Sequence, residues 1–149
     1  MVVGVAELLA RRRHRLAGRI AFVFQPADEP MRGAKRMIED GLLERVEPDM
    51  SLAAHVLPMV NAGRAVVQRG PIWASRDELT LHHQRLANPF SDDFGLFMAA
   101  APGCLMLLGT ANPDRGISEI WHRPGFDIDE DALPVGVHIM SLAALDLLQ

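Results

Sequence analysis

Two adjacent carboxylates, Asp28 and Glu29, follow the apolar run Ile20-Ala21-Phe22-Val23-Phe24 and the turn residues Gln25-Pro26-Ala27. In such a pair one carboxylate can bind a divalent cation while its neighbour accepts a proton from water held by that cation. The same residues also read as a solvated loop pair capping the helix that follows, since carboxylates are common in turns. Two histidines have the chemistry to join them. His55 ends the strand-like start of Ala53-Ala54-His55-Val56-Leu57-Pro58, and His122 lies in Ile120-Trp121-His122-Arg123-Pro124. Taken singly, His55 reads as a half-buried strand-end imidazole satisfied by backbone, and His122 as a loop residue beside Trp121.

The elements that must position these residues alternate between helix and strand. Residues 2–16 predict an amphipathic helix with Val5, Leu8 and Leu9 inward. Arg11, Arg12 and Arg13 fall at its C-terminal end, where cations suit the helix dipole, and read as a solvated helix end rather than an anion site. The nearly unbroken apolar run predicts a strand over 19–24 covered on both faces of a sheet, and open α/β sheets place ligands at the ends of such strands. A helix over 32–40 closing on Gly41 follows. Strands are predicted near 51–56, 64–69 and 76–82, then a helix near 92–100 and an apolar strand from Cys104 to Leu108. The last helix spans about 130–148, with Asp129 as N-cap and Pro134 tolerated near its start. This order predicts an α/β layered domain with a mixed, mostly parallel sheet flanked by helices, residues 1–149 forming a single catalytic-type domain.

Composition narrows the function classes. A chain of 149 residues with 49% hydrophobic content can bury a real core. A net charge of −4 offers no basic field for nucleic acid. No apolar run is long enough to span a bilayer, and a signal-peptide pattern is lacking because the arginines follow the apolar run. The single cysteine, Cys104, cannot form an internal disulfide. A cytoplasmic protein is the expectation. Ser75, Ser91 and Cys104 lack the context of a nucleophilic hydrolase.

Five segments in order carry a resemblance: Phe24-Gln25-Pro26-Ala27-Asp28-Glu29, Gly33-Ala34-Lys35, the run around His55, Gly70-Pro71-Ile72 with Pro102-Gly103-Cys104, and His122-Arg123-Pro124-Gly125-Phe126 ending in Glu130. The chain resembles the co-catalytic metallo-amidohydrolase and peptidase family of hippurate hydrolases, N-acyl-amino-acid deacylases and auxin-conjugate hydrolases. That family's usual strings are FQPAEE, GAK with a following GxHxxP, and HxPxFxxxE. The resemblance implies a divalent metal (zinc, manganese or cobalt) and an N-acyl amino acid or small peptide as substrate. It makes Asp28 the general base and Glu29, His55 and His122 metal ligands. Glu29 and His122 would serve one ion and His55 its neighbour.

The chain departs from the family pattern at four points. The family's Cys-Gly-His-Asp-type segment, which supplies two further ligands, has no counterpart before residues 2–16. A lid and dimerisation insertion is replaced by a short tract near 82–91, whose His82 and His83 do not match the lid's Gly-His pair. Asp28 stands where the family has Glu, withdrawing the carboxylate by about 1.5 Å, a displacement that can cost on the order of a hundredfold in rate. Pro30 stands where the family has Gly and biases Glu29 toward extended backbone. These departures imply impaired activity, an uncovered surface that favours self-association, and an alternative reading as a non-catalytic fragment that binds metal weakly or acts as an interaction module.

Overall fold

The computed structural model describes residues 1–28, 30, 32–67 and 93–149. Glu29, the strand expected near 76–82 and the tract near 82–91 lie outside the described residues. The described chain groups into two compact units. The first comprises Met1–Phe22, Leu52–Val67 and Leu105–Gln149, and the second the described parts of 23–51 and 93–104.

In the first unit, β3 (Gly103–Ala111) is the middle strand of three, ordered β1-β3-β2, with β1 at Ser51–Asn61 and β2 at Ala65–Val66. Burial is continuous from Leu105 to Ala111, as expected of a strand covered on both faces. Strand β2 pairs antiparallel with it, Ala65 opposite Leu108 and Val66 opposite Leu107. Strand β1 runs parallel to β3. Ala62 N donates to Ala111 O at 2.8 Å, and Asn61 lies beside Gly109, so the two chains advance together. The sheet is therefore mixed and flanked by helices, as expected.

Helix α1 (Val2–Ala10) turns Val5 and Leu9 inward and packs on α5 (Leu133–Asp146). It is shorter than the predicted 2–16. Past Ala10 the hydrogen bonding tightens, Arg12 N donating to Leu9 O, and a 3-10 turn over Arg13–Arg15 follows. Met106, Leu108 and Ala132 form a core cluster against which Met1, Ile139 and Met140 pack. Gly136 permits that contact: a Cβ there would lie 2.6 Å from Met1 Sδ and 2.7 Å from Leu108 Cδ2.

In the second unit, α2 (Gly33–Glu39) packs on α3 (Leu42–Val46) and on α4 (Phe94–Met98). Gly41, with φ 81°, ends the first turn-helix pair in the left-handed conformation glycine favours. The predicted strand over 19–24 is not formed: residues 20–24 carry no strand assignment, and Phe24 is 60% exposed. An apolar run sets only a disposition toward β-structure, which a hydrogen-bonded neighbour must realise. Among the described residues no helix is long and apolar enough to cross a membrane.

Candidate active site

The Asp28 loop is built by three devices within the second unit. Ala27 adopts a left-handed backbone (φ 53°), and its carbonyl accepts from Gly33 N at 3.2 Å and Arg32 N at 3.4 Å. Gly33 lies so close to the Pro26 carbonyl oxygen that a Cβ would overlap it. Asp93, 4% exposed, then ties the loop down: its Oδ1 accepts from Gln25 Nε2 at 2.7 Å and its Oδ2 from Ala34 N at 3.1 Å. The start of α2 is thus capped by a residue 59 positions away, since Arg32 at its own N-cap position makes no side-chain cap bond. Gln25 Nε2 also donates to Asp28 Oδ1 at 3.3 Å, and Asp28 itself is exposed.

The two histidines belong to the first unit. His55 is half-buried in β1, with Nδ1 2.8 Å from the Val56 carbonyl oxygen. A carbonyl only accepts, so Nδ1 is the donor in this contact. A metal-ligating histidine is oriented and given its tautomer by a contact of this kind. The Trp121 ring meets the His55 ring edge-on, centroids 5.7 Å apart. His122 follows directly, exposed and in a left-handed backbone (φ 60°) that a non-glycine residue adopts at a cost. The structure thus brings the segment bearing His122 against His55 through Trp121.

The loop carrying His122 is closed at its base by Asp129. Asn112 and Ile117 bridge as an antiparallel pair. Asn112 Nδ2 donates to Asp129 Oδ2 at 2.6 Å, Arg115 Nη1 to Oδ1 at 2.8 Å, and Asp131 N to Oδ1 at 3.3 Å. The Asn112 bond foremost, with the Asp131 amide and the Arg115 charge, holds the Asp129 carboxyl below its ordinary value of 3.8 against the opposing effect of burial. Asp129 is also the predicted cap: it precedes the 3-10 turn Glu130–Ala132 that leads into α5, and Pro134 sits in that helix's first turn.

Among the described residues no group of three or more His, Cys, Asp or Glu side chains gathers as a metal-holding cluster. In type, the donors suit a divalent metal of the zinc class, through imidazole. The residues that sequence reasoning missed are Asp93 and Gln25. The sequence predicts Asp93 only as part of a helix near 92–100, and its partners lie 59 and 68 positions away. Its one local signal is an aspartate directly before the apolar helix start Phe94.

The profile of Peptidase family M20/M25/M40 matches residues 1–146. The chain belongs to this family. Its segments are 37% identical over 82 residues to a probable hydrolase of Synechocystis sp., covering 55% of this chain and 20% of that protein. They are 36% identical over 80 residues to the N-acetylcysteine deacetylase of Bacillus subtilis, covering 54% and 20%. They are 42% identical over 74 residues to an IAA-amino acid hydrolase of Arabidopsis thaliana, covering 50% and 16%. The matched segment spans about a fifth of these curated relatives. The fold is similar to that of the Bacillus subtilis YXEP protein, described as a dinuclear metal binding peptidase of the M20 family. The TM-score is 0.74 at 18% identity, covering 99% of this chain and 70% of that one.

Proposed function

We propose that this chain is the hydrolase part of a metal-dependent amidohydrolase acting on the amide of an N-acyl amino acid or small peptide. Family membership over residues 1–146 is the observation that carries this reading. The relatives' names, an N-acetylcysteine deacetylase and an IAA-amino acid hydrolase, support the substrate class. Glu29, His55 and His122 would hold zinc, manganese or cobalt. When bound, such an ion would polarise the scissile carbonyl and ease deprotonation of the attacking water.

The chain's own residues have distinct tasks. Asp28 accepts the proton of the attacking water and passes it to the leaving amine. The Val56 carbonyl keeps the proton of His55 on Nδ1, and the Trp121 ring fixes the imidazole plane. His122 sits in a left-handed backbone that a non-glycine residue adopts at a cost.

The test is calorimetric titration of the purified chain with zinc and manganese, with hydrolysis of N-acetyl amino acids assayed on the same sample. Metal binding with impaired turnover is expected, and Glu29→Ala and His122→Ala should each abolish any stoichiometric zinc binding. Full binding retained in either variant would remove the proposed site. Weak binding without turnover would favour a family fold that has lost its chemistry.

A further inference from the structure

We propose that Gln25 and Asp93 are positioning residues for Asp28, joined in a relay in which a buried carboxylate aims an amide at the exposed one. The catalytic use of this relay rests on the reading of Asp28 as the base. Its geometry stands on three hydrogen bonds within the second unit.

Asp93 is the fixed end. It is 4% exposed, and each of its oxygens accepts a bond from a different element: Gln25 Nε2 at 2.7 Å and Ala34 N of α2 at 3.1 Å. An ionised carboxylate has no proton to donate, so only the nitrogen of the Gln25 amide can face it. That settles which way the amide points. The second Nε2 proton is then directed to Asp28 Oδ1, 3.3 Å away. The bond to the buried carboxylate is the shorter and stronger of the two, so Asp93 sets the amide and Asp28 takes its bearing from it.

The backbone is shaped to make this possible. The left-handed Ala27 folds Asp28 back toward the residue three positions earlier, and the Gly33–Pro26 approach brings α2 in beneath Gln25. The amide on Oδ1 adds a restraint to the exposed carboxylate. Misplacement of about 1 Å can cost on the order of a hundredfold in rate, so a short, exposed base gains from such an anchor.

The experiment is side-chain amide NMR of the nitrogen-15-labelled full chain, with kinetics on N-acetyl amino acids. Both Gln25 Nε2 protons should be shifted and should exchange more slowly than those of exposed Gln149. Asp28→Ala should release one of them, and Asp93→Asn should disturb both. Gln25→Met, which keeps the shape and removes the donor, should lower kcat about tenfold with KM unchanged within about twofold. Gln25 protons that exchange like those of Gln149, or that ignore Asp28→Ala, would overturn the relay. An unchanged kcat in Gln25→Met beside positive amide signals would overturn its positioning role. In a chain without turnover the amide signals alone decide the relay, so its failure and the failure of the assigned function are told apart.

Discussion

The loop over 25–33 and the loop over 112–129 are each closed by one buried aspartate. Asp93 accepts from a side-chain amide, Gln25, and from a backbone N–H at a helix start, Ala34. Asp129 does the same with Asn112 and Asp131. Among the described residues each loop also holds one non-glycine residue in the left-handed region, Ala27 or His122. They part in charge and in reach. Asp129 gains Arg115 at 2.8 Å, with all its partners within 19 positions or fewer along the chain, whereas among the described residues no cation pairs with Asp93. One loop is held partly by an ion pair and the other by hydrogen bonds to neutral donors. The same residue type therefore solves the same problem, anchoring a candidate site residue, with different partners.

The comparison can be broken most forcefully at Gly33. Gly33→Ala places a methyl group onto the Pro26 carbonyl and should cost about 3 kcal/mol in urea unfolding. A cost under about 1 kcal/mol would mean the Asp28 loop yields where it is described as tight.

Relief of backbone strain should separate the loops by role. Ala27→Gly and His122→Gly each remove a left-handed penalty and should each raise stability by about 1 kcal/mol. For His122→Gly, stability and zinc affinity should move in opposite directions, because the imidazole is lost. Parallel changes in both quantities would show that the backbone at His122 stores nothing for the site.

The smallest effect concerns acid. The Asp129 carboxyl is held below 3.8, so its stabilising contribution is complete above that value and is lost as pH falls through its lowered native value. Arg115 is the last of the causes and is 57% exposed on its side chain. Arg115→Gln should therefore move acid unfolding only slightly, to higher pH, as followed by circular dichroism. No movement would leave Asn112 and the Asp131 amide as the whole of the restraint.

Local signals are legible in the sequence where local physics decides. Asp129 caps the final helical segment and Pro134 sits in its first turn, because both act through the backbone of their immediate neighbours. The apolar run of β3 reads as a buried strand and is one, since both of its faces are covered. The run over 20–24 has the same character and forms no strand. Asp93 looked like an ordinary residue at a helix start, yet it anchors Gln25 from 68 positions away.

The sequence by itself determined the α/β pattern, which follows from residue type, spacing and short-range backbone preference, and its motifs carried the resemblance to the family that residues 1–146 match. Tertiary structure alone decided the donor role of His55 Nδ1, the packing of Trp121 on its ring, and the identity of the buried carboxylate that aims Gln25 at Asp28. Hydrogen bonds and ring contacts between residues far apart in the chain form only once the fold has brought their atoms within about 3 Å, and no local preference encodes that approach.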